Sequence, residues 1–140
     1  MKIDEVLLDT HILIWLMCGN ESLGSDARSC IEAVSQQSGK IHVSAISIWE
    51  IGMLEAKGRI HLKEPVAQWI EKALKAPNIY LTSLSPEILI ESCYLPGIIH
   101  ADPADRMIIA TARVLNISLI TKDARILEYA SQGYVNTTSG

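Results

Sequence analysis

Four carboxylates, Asp9, Glu50, Asp105 and Asp123, recur at or just past points where a short apolar run gives way to a helical pattern. Asp9 closes Val6-Leu7-Leu8, Glu50 follows the run 41–48, Asp105 opens the run 107–115, and Asp123 follows 117–121. Strands buried on both faces of a parallel sheet read as short apolar runs without alternation. In an open sheet of that kind the carboxyl ends of the strands face one crevice, where ligands bind. Four acids delivered to one crevice repel each other strongly unless a cation sits among them. The pattern points to a divalent-metal site built from oxygen ligands.

The elements between these acids follow from apolar spacing and stop signals. Residues 5–9 read as a strand, after which Asp9 or Thr10 caps a short helix carrying Ile12, Leu13, Leu16 and Met17 and ending at Gly19-Asn20. Ser25 is expected to cap a helix over 26–37, followed by a strand at 40–44 and a helix over 46–57 stopped by Gly58. A further helix over 64–76 places Val66, Trp69, Ile70 and Leu74 on one face and halts before Pro77. Residues 78–82 form the third strand, and Ser85-Pro86-Glu87 starts another helix with a cap and a Pro at its first position. The most apolar helix spans 103–115, a fourth strand 117–121 and a last helix 123–130, with Tyr134-Val135 available as an edge strand. This β-α-α-β-α-α-β-α-α-β-α-β alternation predicts an α/β fold: a three-layer sandwich whose mostly parallel central sheet of four to five strands is flanked by helices. One domain is expected over 1–136, with 137–140 as a short tail.

Bulk properties narrow the function classes. A chain of 140 residues, 49% hydrophobic and 20% charged, is globular rather than disordered and large enough for a substantial core. Phenylalanine is absent, so aliphatic side chains and three Trp must fill that core. A net charge of −4 supplies no global basic field, which argues against a simple nucleic-acid-binding module but less against a nuclease whose acids hold metal. Cys18, Cys30 and Cys93 are odd in number and widely spaced, the pattern of reduced cysteines in a cytoplasmic protein rather than of zinc ligands or disulfides. Asp4, Glu5 and Asp9 precede the apolar stretch 12–18, where a signal peptide would be positive, and no run approaches the ~20 apolar residues that span a bilayer.

Taken singly, each acid has a plain structural explanation. Asp9, Asp102 and Asp123 can cap helices, and Glu50 stands three residues after Ser47, a capping-box spacing. Taken together they do not reduce to caps. Asp9 and Glu50 lie in very apolar surroundings, where an ionised carboxylate is costly without a positive partner. A helix N-terminus offsets on the order of 1 kcal/mol of that, and a dication far more. Hard oxygens without nearby His or Cys suit Mg²⁺ or Mn²⁺ better than zinc. His11, His42, His61 and His100 show no zinc spacing, no HExxH or Ser-His-Asp order stands out, and no phosphate-cradling glycine loop is present.

The segments Leu7-Leu8-Asp9-Thr10-His11, Val43-Ser44-Ala45-Ile46-Ser47-Ile48-Trp49-Glu50-Ile51, His100-Ala101-Asp102-Pro103-Ala104-Asp105-Arg106 with Ile109-Ala110, and Leu119-Ile120-Thr121-Lys122-Asp123 resemble the PIN-domain family, and within it the VapC-type toxins of toxin–antitoxin pairs. Ala104 departs from the pattern, since many relatives carry an aromatic there. The resemblance implies a metal-dependent endoribonuclease that hydrolyses RNA phosphodiester bonds, dimeric and held inactive by a cognate antitoxin. It makes Asp9, Glu50, Asp105 and Asp123 the acidic quartet, catalytic and metal-binding, with Asp102 a neighbour and Thr10 and Thr121 hydroxyls beside the metal. Arg106, and less so Lys57, Arg59, Lys63, Lys122 and Arg125, are candidate contacts for RNA; Trp15, Met17, Met53 and Leu54 are candidate partner surface or core. Two alternatives stand beside this one. A metal-dependent phosphatase is disfavoured because His11 occupies the second Asp of a DxDxT pattern. A non-catalytic PIN-like binding module is disfavoured by the full quartet.

Overall fold

The computed structural model describes residues 4–99 and 102–140, so His100 lies outside the described residues. Five strands, β1 (Glu5–Leu8), β2 (Lys40–Ser44), β3 (Ile79–Thr82), β4 (Ser118–Thr121) and β5 (Thr137–Ser139), form one sheet in the order β3-β2-β1-β4-β5. Every pairing is parallel, with Leu8 in register with Val43 on one side and Ile120 on the other. The helices are α1 (Thr10–Cys18), α2 (Ser25–Gln36), α3 (Ala45–Ala56), α4 (Val66–Lys75), α5 (Pro86–Cys93), α6 (Pro103–Leu115) and α7 (Ala124–Ala130). The three-layer α/β sandwich read from the sequence is therefore present, with a fully parallel sheet.

Side chains alternate across a strand, and in β1 that alternation feeds two cores. Val6 and Leu8 pack with Ile12, Ile31, Val34, Ile51 and Trp69 from α1 to α4, whereas Leu7 joins Leu119 and the apolar faces of α5, α6 and α7 through Ile88, Ile108, Ile109 and Ile126. Both faces of the central strand are thus closed to water, which is why 6–8 read as an unbroken apolar run. Chain direction decides the rest. β1, β2 and β3 advance to one side, and β4 and β5 continue on the other, so the order reverses between β1 and β4. The crevice of an open parallel sheet lies at that reversal.

Several boundaries differ from expectation for identifiable reasons. Ser25 is the first helical residue of α2 rather than its cap; Gly24 takes the cap position with no side-chain bond. α4 begins at Val66, after Pro65. Tyr134-Val135 does not extend the sheet: Val135 is buried in the α5–α7 core and the Tyr134 carbonyl accepts Arg113 Nη1 at 2.5 Å. The residues expected to trail as a tail supply the edge instead. Thr137–Ser139 pair with β4, and the Gly140 amide donates to the Thr121 carbonyl at 2.8 Å. Trp15, Met17 and Leu54 are packed against the core, while the exposed large apolar side chains include Trp49, Ile90 and Tyr94. Among the described residues no helix is long and apolar enough to cross a membrane.

Leu7 is fully buried between the sheet and α5–α7. Leu7→Ala is expected to lower unfolding free energy by about 2–5 kcal/mol with an unchanged urea m-value. A loss below ~0.5 kcal/mol would mean that β1 is not the centre of this packing.

Candidate active site

Asp9 stands directly after β1 and its amide donates to the Ile120 carbonyl at 3.0 Å, which fixes it at the β1/β4 reversal. It occupies the cap position of α1, but not as caps usually work. A capping side chain satisfies the N–H groups two or three residues on. Asp9 Oδ1 instead accepts only the adjacent Thr10 N–H at 2.8 Å, and Oδ2 accepts the Thr121 hydroxyl at 2.6 Å. The residue is only 8% exposed. Burial is the largest influence on it and pushes its pKa up, against the Thr121 and Thr10 donors, with nearby Asp123 adding to the rise. The chain invests a desolvated carboxylate here that helix capping does not require.

Glu50 sits in the second turn of α3, so the capping-box explanation fails: Ser44, not Ser47, is the cap, accepting the Ile46 N–H at 3.2 Å. Ser47 and Glu50 are three apart and share a helix face. Both meet Thr10, whose hydroxyl lies 2.9 Å from Ser47 Oγ and 2.6 Å from Glu50 Oε1. With one proton to give, that hydroxyl donates to one of them at a time. Burial first, then the negative charges of Asp9, Asp105 and Asp102, push the Glu50 pKa up to about 7, although the Thr10 hydroxyl opposes the rise. Ser47 is fully buried and was missed by sequence reasoning. Its signal is the Ser-x-x-Glu spacing, which a helix cap would produce equally well.

Asp102 and Asp123 are helix caps in the ordinary sense. Asp102 Oδ1 accepts the Asp105 N–H at 3.2 Å, and Asp123 Oδ1 accepts the Arg125 and Ile126 N–H groups at 2.8 and 3.2 Å. Capping occupies one oxygen of each, so it does not exclude a second role. Asp105 is in the first turn of α6, half-buried and close enough to Glu50 to repel it. The fold thus brings the sequence-predicted acids into one electrostatic neighbourhood, Asp9 feeling Asp123, and Glu50 feeling Asp9, Asp105 and Asp102. It does not draw them into a finished cage: among the described residues no three His, Cys, Asp or Glu converge closely enough to hold a metal ion.

Charge balance shows what the cluster lacks. The described ion pairs join His42 to Glu5, Lys72 to Glu64, Lys75 to Glu71 and Arg113 to Glu91; none takes in Asp9, Glu50, Asp102 or Asp123. Arg106, beside Asp105 in sequence, turns away and donates to the Ser92 and Cys93 carbonyls at 2.9 and 3.4 Å, tying down the end of α5. Hard carboxylate and hydroxyl oxygens in negative surplus are the donor set of Mg²⁺ or Mn²⁺. In chemistry and charge, the residues fit such an ion.

Two recesses flank the cluster. One of about 260 Å³ is lined by Asp9, Asp123, His11, Trp15 and Lys122, and one of about 420 Å³ by Glu50, Asp102, Ile46, Trp49 and Met107 among others. Thr10, touching Glu50 and following Asp9, joins the two. A larger cavity of about 480 Å³, walled by Arg113, Asn116, Tyr134 and Asn136, opens at the other end of the strands, away from the acids. Lys57, Arg59, Lys63 and Arg125 are exposed and line neither acid-side recess.

The PIN domain family matches residues 6–132. The chain is 33% identical over 121 residues to Ribonuclease VapC22 of Mycobacterium tuberculosis (strain ATCC 25618 / H37Rv), covering 86% of this chain and 88% of that protein. Among solved structures it resembles a toxin-antitoxin complex from Klebsiella pneumoniae, with TM-score 0.58, 25% identity and coverage of 86% and 88% of the two chains. It also resembles VapBC2 from Rickettsia felis bound to a DNA fragment from their promoter, with TM-score 0.68 and coverage of 96% and 98%; at 15% identity that likeness concerns the fold alone. With the match running from the middle of β1 to beyond α7, the chain belongs to the PIN domain family.

Proposed function

We propose that this protein is the ribonuclease toxin of a toxin–antitoxin pair, a metal-dependent endoribonuclease that hydrolyses RNA phosphodiester bonds at the carboxylate cluster. Its relatedness to Ribonuclease VapC22 along most of both chains, and to the Klebsiella pneumoniae complex, supports the activity class and an antitoxin partner. The observation that carries the site is Asp9: a buried carboxylate held by neutral donors alone, with other acids beside it.

Asp9, Glu50, Asp105 and Asp123 are the residues that would hold Mg²⁺ or Mn²⁺. Such an ion supplies neutralisation of a phosphodiester oxygen and a bound water of lowered pKa. The chain's own groups do the remainder. The Thr121 hydroxyl fixes one oxygen of Asp9, and the Thr10 amide fixes the other. The Thr10 hydroxyl, which meets both Ser47 and Glu50, orients the Glu50 carboxylate. Asp102 adds negative charge at the rim and starts α6 so that Asp105 is presented from its first turn. A cytoplasmic location and a homodimer belong to the same proposal; Leu89, Ile90 and Tyr94, exposed on and just after α5, are apolar surface that a second copy can cover.

Glu50 also sets a pH signature for the metal-free protein. A carboxyl whose pKa is raised on folding binds its proton more tightly in the folded chain. Its contribution is complete below about 4.5, declines as pH climbs to about 7, and is absent above that. Urea midpoints measured in EDTA from pH 5 to 8 are expected to fall across this window, and Glu50→Gln to flatten the fall. Parallel curves for the two proteins would show that Glu50 is not held protonated by its surroundings.

Cleavage is tested with single-stranded RNA and Mg²⁺ or Mn²⁺, against EDTA. Asp9→Asn should reduce cleavage below detection while leaving the fold at least as stable at pH 8, because a desolvated charge is removed. Thr121→Val, which releases one Asp9 oxygen, should lower the rate by about 10- to 100-fold. Full activity in Asp9→Asn would remove this cluster from the reaction, and hydrolysis of small phosphomonoesters but not RNA would favour a phosphatase.

A further inference from the structure

The recess on the Asp9–Asp123 side carries more than acids. His11 and Trp15, one helical turn apart on α1, stand with ring centroids 6.0 Å apart and planes tilted by 54°, so neither ring's face is consumed by stacking on the other. Lys122, which links β4 to Asp123, places Nζ 5.8 Å from the Trp15 ring centroid, and its ammonium donates to the Ser22 carbonyl at 3.1 Å. No described ion pair includes Lys122, although Asp9 and Asp123 line the same recess. Among the described residues no carboxylate neutralises its charge, and two of its three donors are left for a ligand.

Two aromatic rings and an ammonium outside any described ion pair, beside hard carboxylates, match a nucleotide piece by piece. A base has a flat π-face that stacks on aromatic side chains whatever its identity. Its phosphate takes a lysine as counter-charge. In a duplex that face is already stacked, so only an unpaired nucleotide can offer it. We infer that the His11–Trp15–Lys122 recess binds one unpaired nucleotide next to the phosphodiester handled by the acids, its base against the aromatic wall and its phosphate toward Lys122. The inference rests on the ribonuclease reading and adds to it the residues that grip the nucleotide beside the scissile bond.

Tryptophan fluorescence tests it in the full chain. A short single-stranded RNA is titrated in Ca²⁺, with cleavage of the same RNA by the native chain in Mg²⁺ or Mn²⁺ followed in parallel. Trp69 is buried and Trp49 lies in the other recess, so the variants separate the sources of signal. Quenching is expected to persist in Trp49→Phe and disappear in Trp15→Phe. Affinity is read separately from the fluorescence anisotropy of a dye-labelled copy of the same RNA: Trp15→Leu, which keeps apolar volume but loses the aromatic face, should weaken binding roughly tenfold, and Trp15→Phe should largely restore it. His11→Ala, at an exposed position with little bearing on folding, should weaken it in the same direction. Lys122→Met should reduce the slope of log affinity against log salt by about 0.7. Quenching that survives Trp15→Phe, native affinity in both Trp15→Leu and His11→Ala, or quenching by an arginine-bearing peptide but not by RNA would overturn the inference. Trp15-dependent binding without RNA cleavage sinks the ribonuclease reading instead, and cleavage with no Trp15 dependence sinks the recess alone.

Discussion

A buried carboxylate with only neutral partners is the constraint around which this molecule is arranged. Asp9 follows the central strand at the point where strand order reverses, and water is largely excluded from it. Removing an ion from water costs several kcal/mol after relaxation, and two hydrogen bonds from a hydroxyl and an amide recover only part of that. Other sequences at this position would fold more readily. A helix that needed only a cap would be served by Ser or Asn. Retention of a desolvated acid, with Glu50 and Asp123 beside it, makes sense if the energy is returned when a cation arrives.

Surrounding residues follow from that constraint. Thr10 and Thr121 flank Asp9 from α1 and β4, and Ser47 reaches Thr10 from α3, so three elements are tied to one another through hydroxyls rather than through charges. Hydroxyls orient carboxylates without neutralising them, which leaves the negative charge for a ligand. Arg106 shows the complementary choice. It is the cation nearest to Asp105 in sequence, yet it is spent on the carbonyls that end α5. Lys122 is the exception on the acid side, and it stands over an aromatic ring instead of pairing with either neighbouring acid.

Much of this is legible in the sequence. Continuous apolar runs gave away a parallel sheet because both of its faces are covered, and Gly19, Ser85-Pro86 and Asp102-Pro103 marked helix ends through local backbone chemistry. What failed was whatever depends on a distant partner. Thr137–Ser139 form a strand because β4 offers an open edge, a fact absent from their own composition. The Ser47–Glu50 spacing fits a helix cap and a shared helix face equally well, and only Thr10, far away in sequence, decides between them. That the acids lie near one another follows from their placement after apolar runs, but the separation of Asp9 and Asp123 in one recess from Glu50 in another does not, because it depends on how α1 and α6 pack across the sheet.

The central claim is that these carboxylates share one divalent cation. Crystals grown with Mn²⁺ and measured at an X-ray wavelength where manganese scatters anomalously test it most directly. A single strong anomalous peak is expected at the β1/β4 reversal, within coordination distance of Asp9 and of at least one of Asp105, Asp123 and Glu50. No peak there at saturating Mn²⁺, or Asp9 still holding only Thr10 and Thr121 while manganese binds elsewhere, would contradict it.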